Sequence, residues 1–453
     1  MLKPIVLICS FIIVGSMGGV TMSAFAQDQS QIEILRSETK FIFDSFLFLI
    51  SGMVVMFMAA GFCMLEVGLV RSKNAAIICV KNISLYAVAG IMVWLFGYHL
   101  IYSIEPGGYL GSFEGWGKAE DLKSGTYSAH SNWFFQMVFV ATCASIVPGT
   151  LAERIRFWPF LAFVVVLTGL IYPISASWLW GEGWLAERGF VDFAGSTLVH
   201  SVGGWAALTG AILLGPRSGR YLAQASGKTK KRSHKDRGDI IITPMVGSNL
   251  PLATLGTFIL WLGWFGFNGG SQLALGSIED VSQISKIFVN TNMAACGGVI
   301  SVLIATHFLF KKIDLTILLN GVIGGLVSIT ADPVSPAIWQ AIFIGGIGGI
   351  IVTVSVPLLD RYKIDDVVGA IPAHLLCGIW GTLIVAWSNS DANIFGQLLG
   401  ICAIGLFAFV MSFLVWIVLK YSIGIRVSEE DERLGLDQGE LGLEAYPEFS
   451  RQK

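Results

Sequence analysis

Charge is scarce in this chain. Asp, Glu, Lys and Arg make up 13% of its 453 residues, about half the share usual in soluble domains. The two signs nearly cancel, at a net charge of −2, so no basic face for nucleic acid is expected. Cysteine is sparse and unpatterned. There are seven, none in a Cys-x-x-Cys spacing, which argues against a disulfide framework and a thiolate metal cage. Cys9, Cys63, Cys79, Cys143, Cys377 and Cys402 lie in apolar runs, and Cys296 lies in the small-residue stretch MAACGG. All seven read as small buried fillers. No His-Glu-x-x-His occurs, which speaks against an intramembrane zinc protease. An enzyme using Asp and His finds no nucleophile or metal-ligand motif to support it, so neither catalysis nor a cofactor is expected.

What fills the chain instead is apolar. Hydrophobic residues make up 54% and the mean hydropathy is +0.71, which over this length means an all-α integral membrane protein. The first residues, MLKPIVLICSFIIVG, give a lysine and then an apolar run; AFA at 24–26 follows, then QDQSQ. This is the pattern of a leader cleaved after residue 26, although a first membrane helix reads similarly. Residues 27–42 would then form an extracytoplasmic N-terminus. A span needs about 20 mainly apolar residues, and eleven fit: 43–70, 75–103, 132–151, 157–178, 193–214, 247–269, 286–310, 314–331, 335–358, 367–387 and 394–420. With the mature N-terminus outside, the inside connections hold Arg71 and Lys73, Arg154 and Arg156, the basic loop 216–241, Lys311 and Lys312, Arg361 and Lys363, and Lys420. The outside connections are acidic or neutral, with Glu105, Glu114, Glu120, Asp121, Glu182, Glu187, Glu279, Asp280 and Asp391. Every inside loop obeys the positive-inside rule, and an even number of spans would break it. The charged tail 421–453 is then cytoplasmic, either disordered or docked.

Two segments repeat. DFAGSTLVH runs from Asp192 to His200 and DVVGAIPAH from Asp366 to His374, with Asp, Gly and His at the same offsets. They open the fifth and tenth spans, which run in opposite directions, so spans 1–5 and 6–10 read as an inverted-topology repeat. Eight helical residues rise about 12 Å, and the hydrocarbon core is about 30 Å thick. From opposite faces, His200 and His374 therefore reach nearly the same depth. Gly195 and Gly369 are expected to let the helices approach, and Asp192 and Asp366 to cap them. Ionisable side chains at this depth mark a pathway more often than packing. Buried imidazoles are expected to be uncharged; a neutral pair offers donors and acceptors to a small polar solute or a proton, and cradles a bare cation poorly. Two imidazoles alone are too few for a metal. GVIGG at 321–325 and GGIGG at 345–349 are small-residue patterns for close helix packing.

Aromatics make up 12%, and most suit an interfacial belt. Three clusters share the outer side: WLWGEGW from Trp178, WFFQMVF from Trp133, and LGWFGFNGGS from Leu262. Aromatic faces attract cations by about 0.5–2 kcal/mol, and Ser271 adds a hydroxyl.

These segments resemble the ammonium transporter/methylammonium permease/Rhesus family. The likeness covers nearly the whole chain after the leader, in DFAGSTLVHSVGGWAALTGAILLGPR, GTLAERIRF, GWFGFN, LNGVIGGLVSITA and GIRVSEEDERLGLD. It implies an ammonium transporter of a bacterial inner membrane, taking ammonium or ammonia, with methylammonium as a further substrate. By resemblance, Trp180, Phe139 and Ser271 match the outer ammonium-recruiting site, and Phe139 and Phe267 the stacked phenyl gate. Gln136 matches a polar residue beside that gate. Asp192 matches an acid that supports the outer site without touching the ligand, and His200 and His374 match the pore's twin histidines. The resemblance also implies a homotrimer with one pore per subunit, and docking of PII-type signalling proteins at the cytoplasmic face. Departures are Leu375, where a glycine often follows the second histidine, Pro372 two residues before it, and Pro148 inside span 3. The alternative is an ammonium sensor with little flux; the absence of an appended kinase or cyclase domain weighs against it.

Overall fold

The computed structural model describes residues 3–117, 125–223 and 240–449, the side chains of 3–28, 223, 240 and 449 excepted. Most of the basic connection 216–241, with His234, lies outside the described residues. So do the acids Glu120 and Asp121 and the side chains of the expected leader, Cys9 included.

The described chain is a helical bundle. Ten helices are long and apolar enough to cross a membrane: α1 (Gln29–Leu69, part of a helix that begins at Lys3), α2 (Ser72–Tyr102), α3 (Ala129–Thr150), α4 (Phe157–Ser177), α5 (Ser196–Leu214), α6 (Leu250–Gly270), α7 (Ile278–Phe310), α9 (Ile338–Arg361), α10 (Ile371–Ser388) and α11 (Ile394–Ser422). The eighth expected span is the shorter apolar helix α8, Leu315–Ile329. Its 15 residues rise about 22 Å, less than a hydrocarbon core. It can be short because nearly all of it is buried in protein, where the turn that follows needs no lipid-facing hydrogen bonds. The only strands among the described residues are Tyr221–Ala223 and Ile240–Ile242, an antiparallel pair at the root of the basic connection.

Glycine sets the packing. Gly348 sits on α8 so closely that a Cβ there would lie 2.6 Å from the Gly324 carbonyl oxygen, as the two small-residue patterns predict. The first helices of the two halves cross at a reciprocal pair. A Cβ on Gly61 of α1 would meet the Gly256 oxygen at 3.1 Å, and one on Gly256 of α6 would meet the Gly61 oxygen at 2.6 Å. Pro148 interrupts α3 as expected: the regular helix ends at Ser145 and resumes over Val147–Thr150. There the proline occupies the first turn, where its missing N–H costs no bond.

Two expectations are corrected. The fifth and tenth helices do not begin at residues 193 and 367 but at Ser196 and Ile371, because Gly195 (φ 103°) and Gly369 (φ 80°) hold left-handed backbone that stops the helix. These glycines therefore serve backbone conformation, and Gly369 also packs closely on α8, where a Cβ would lie 2.7 Å from Asn320 Nδ2. Cysteine is not uniformly buried either: Cys143 and Cys377 are, but Cys79 and Cys402 are exposed.

The tail is ordered over its described length and packs on one end of the bundle. Both oxygens of Asp437 accept backbone N–H groups at the start of α2, from Ala76 at 2.9 Å and Ile77 at 2.8 Å. Lys73 Nζ donates to the carbonyls of Glu432 and Arg433. The Glu432 carboxylate accepts from Ser218 N and Arg426. Beneath this tail lies a belt of buried charge. Glu153 binds Arg71, and Arg217 holds Asp365 through Nε and Nη2, each at 2.9 Å. Arg154 donates only to carbonyl oxygens, among them Asp365 O at 2.6 Å.

Candidate functional site

The two Asp-Gly-His segments fold alike. After Asp192 the chain stays irregular for two residues, turns left-handed at Gly195, and enters α5 through a widened π turn, Ser196–Ser201. After Asp366 it turns at Gly369 and enters α10 through the π turn Ile371–Leu376. Wide turns of this kind are frequent at functional positions. The amides that such a start leaves unpaired are taken up by the aspartates. Asp192 Oδ1 accepts from Gly195 N and Ser196 N, and Oδ2 from Thr197 N and Leu198 N, at 2.8–3.1 Å. Asp366 accepts from Gly369 N, Ile371 N and the Thr150 hydroxyl. Both carboxylates thus hold helix starts. With its two oxygens engaged on four amides, Asp192 is not presented to a ligand.

His200 and His374 come together. Their Nδ1 atoms are 3.2 Å apart and their ring centroids 5.2 Å apart, with the planes 24° from parallel. Both side chains are buried. A contact between two Nδ1 atoms has one donor and one acceptor, so a neutral pair must hold opposite tautomers. Nε2 of His200 has no partner among the described residues. The indole of Trp264 lies over His200 at 5.0 Å and 17°, held by its Nε1 bond to Thr330 Oγ1 at 2.8 Å. Phe62 lies against His374 at 5.8 Å.

On one side of the histidines, Phe267 contacts His200 at 5.4 Å and is stacked by Phe139 at 4.0 Å and 23°. Beyond Phe139 opens a cavity of about 730 Å³ lined by Trp180, Phe139, Gln136, Ser271 and Glu182, among others. Trp180 meets Phe139 edge-on at 6.1 Å, and its Nε1 donates to the Asp192 backbone oxygen at 3.0 Å. Asp192 therefore fixes the vestibule through its main chain. Ser271 Oγ donates to Phe267 O at 2.8 Å, which leaves its own lone pairs free. On the other side, a second cavity of about 320 Å³ is lined by Pro372, Gly369, Asp366, Asn320 and Arg217. Beside it, burial alone would push the Asp365 carboxyl up. The Arg217 bonds and the Arg154 charge prevail and hold it at about 2.

The structure thus brings together Trp180, Phe139, Phe267, Gln136, Ser271, Asp192, His200 and His374. Sequence reasoning missed Trp264, although Trp264, Phe267 and Ser271 share one helical stripe at i, i+3 and i+7. It also missed Phe62, a single phenylalanine in an apolar run, for which no signal existed. No group of three or more metal-ligating side chains occurs among the described residues.

Residues 46–446 match the family described as the Ammonium Transporter Family. The chain is 38% identical over 440 residues to a putative ammonium transporter of Synechocystis sp., covering 95% of each chain. To the ammonium transporter Amt2 of Archaeoglobus fulgidus it is 37% identical, covering 93% of this chain and 92% of that one. Among solved structures, one titled "Sensor Amt Protein" superposes with a TM-score of 0.79 at 34% identity, over 88% of this chain and 98% of that one. Mep2 of Candida albicans superposes with a TM-score of 0.72 at 25% identity, over 86% of this chain and 87% of that one.

Proposed function

The chain belongs to the Ammonium Transporter Family, and from that premise we propose that it carries ammonium nitrogen inward across a bacterial inner membrane through the path just described. One observation supports this most: the facing imidazoles lie between two cavities, closed from one of them by the Phe139–Phe267 stack. In this reading the Trp180 vestibule opens outside. The tail end, with its belt of Arg71, Lys73, Arg154 and Arg217, lies in the cytoplasm, as a positive inside requires.

Ammonium enters the vestibule. The faces of Trp180 and Phe139 attract it, and the free lone pairs of Ser271 accept one N–H. Rings at 4.0 Å leave no opening, so the phenyl pair must part for each passage. A bare charge at this depth costs several kcal/mol, and no carboxylate is presented to offset it. The species that passes the gate is therefore neutral ammonia, and the proton it leaves beside the gate crosses separately, so that one charge accompanies each ammonia and the uptake carries current. The opposite tautomers of His200 and His374 give it a hydrogen-bond donor and acceptor along an otherwise apolar path. The expected leader 1–26 is removed in this reading, and the protein assembles as a homotrimer with a PII-type protein as possible cytoplasmic partner.

The test is solid-supported-membrane current on purified protein, ammonium against potassium. Wild type should carry selective current, and His200→Ala with His374→Ala should abolish it. A double variant with wild-type current and unchanged selectivity sinks the pore assignment. A sensing role is a second reading, favoured by the likeness to the structure titled "Sensor Amt Protein". Methylammonium flux into liposomes separates the two: binding without flux means sensing.

A further inference from the structure

Asp192 is turned away from the vestibule, which leaves one acidic side chain lining it among the described residues: Glu182. Its backbone is unusual. Glu182 has φ 61°, in the left-handed region that side chains with a Cβ disfavour. The flanking residues are Gly181 and Gly183, so the segment uses glycine freely except at the one position where glycine would relieve strain. The conformation is pinned from both sides. Glu182 N donates to Leu179 O at 3.0 Å, and Glu182 O accepts from Gly107 N at 2.9 Å. The carboxylate itself is exposed and makes no hydrogen bond or ion pair among the described residues, unlike Glu114, which lies 3.6 Å from His99. Leu273, another vestibule residue, also has φ 61°. Strained backbone held by its surroundings gathers at functional sites.

We propose that Glu182 is a specificity-determining residue for the charge of the incoming substrate, concentrating monovalent cations in the vestibule before they reach Trp180. This rests on the transport reading. A fixed charge in a concave mouth focuses its field along the entry path and acts over about 8 Å at physiological salt. It discriminates cation from neutral or anion, but not ammonium from potassium; that choice is left to the deeper site.

The experiment compares wild type, Glu182→Gln and Glu182→Gly in ammonium-driven current at low and high ionic strength. Glu182→Gln should raise the half-saturation about two- to three-fold at low salt, with unchanged maximal current and ammonium-over-potassium preference. The difference should vanish at high salt. Glu182→Gly should give the same salt-dependent rise together with a higher thermal midpoint, since glycine relaxes the turn. A residue kept only for the turn moves the midpoint and leaves half-saturation unchanged, and that result overturns the proposal. So does a rise that persists at high salt. Wild-type protein without ammonium current overturns the transport reading and this inference together; current with identical half-saturation in all three proteins overturns this inference alone.

Discussion

Gly204 of α5 rests on Leu375 of α10, so closely that a Cβ on the glycine would lie 2.6 Å from Leu375 Cβ and 2.8 Å from its backbone nitrogen. The relation is reciprocal. Gly378, four residues after His374 as Gly204 is four after His200, packs on Ser196 and Ser201 at the start of α5. Each half-helix thus presents a glycine at the fourth position after its histidine to the residue that follows the other histidine. This crossing, with the Gly61–Gly256 pair of the first helices, is the inverted repeat expressed as contact. Leu375, where a glycine was the expectation from resemblance, fits because it lies against a glycine.

Gly204→Ala should therefore be costly. Its methyl meets backbone, which cannot rotate away, and overpacking of this kind costs about 1–3 kcal/mol. Any relief separates α5 from α10 and with them the imidazoles now 3.2 Å apart. The expected result is a lower thermal midpoint in detergent and loss of methylammonium flux in liposomes. Wild-type values for both would mean that the crossing does not set the distance between the histidines.

Trp180→Ala removes one aromatic face of the vestibule and the indole bond to the Asp192 oxygen, while leaving the four amide bonds of that carboxylate in place. The loss should be about 1 kcal/mol of cation attraction, about a five-fold rise in half-saturation. Maximal current should hardly change, because the phenyl stack and the histidines remain. A fall in maximal current at constant half-saturation would place Trp180 in the translocation step instead.

The bundle was legible because hydrocarbon demands long apolar runs, and the repeat because Asp, Gly and His recur at fixed offsets on helices that run oppositely. The starts of α5 and α10 were not legible. A carboxylate three residues upstream and a left-handed glycine move the first turn, and hydropathy does not register either. Trp264 was hidden because LGWFGFNGGS reads as one interfacial patch, whereas its helix carries Trp264 down to His200 and Ser271 up to the vestibule. Glu182 read as one more acid in an outer loop; the structure shows it lining the vestibule from a turn with left-handed backbone. The order of the tail depends on backbone N–H groups at the start of α2, and main-chain groups have no sequence pattern.

The Arg217–Asp365 pair should give a measurable pH signature. Asp365 is held at about 2 in the folded protein, below the roughly 3.9 of an unfolded chain. A carboxyl lowered on folding stabilises above the unfolded value and loses that contribution as pH falls from about 4 through about 2. The shift corresponds to about 2 kcal/mol at neutral pH. Asp365→Asn should lose at least this much, since the buried Arg217 is then left without its main counter-charge. The gap in thermal midpoint between wild type and variant should be constant above pH 4 and shrink below it. A constant gap down to pH 2 would mean that the carboxylate's charge contributes nothing there.

Asp437→Ala tests how the tail is held. The aspartate sits far along the chain but serves α2 as a cap, accepting from Ala76 N and Ile77 N, and loss of such a cap costs about 1 kcal/mol. Anchors near this cap are the carbonyls on Lys73, the bond from Leu436 N to Asn74 Oδ1 at 2.9 Å, and Glu440 on Phe157 N at 2.8 Å. They reach the same helix ends and depend on the geometry Asp437 sets. The tail should therefore loosen as a unit, and trypsin should cut after Arg433 faster in inside-out vesicles of the variant than of wild type. The membrane helices should keep their thermal midpoint within a few degrees, because among the described residues the Asp437 side chain bonds the bundle only at the first turns of α2. If cleavage is equally slow in both, the tail is held by Glu432 and its partners Ser218 and Arg426 rather than by the cap.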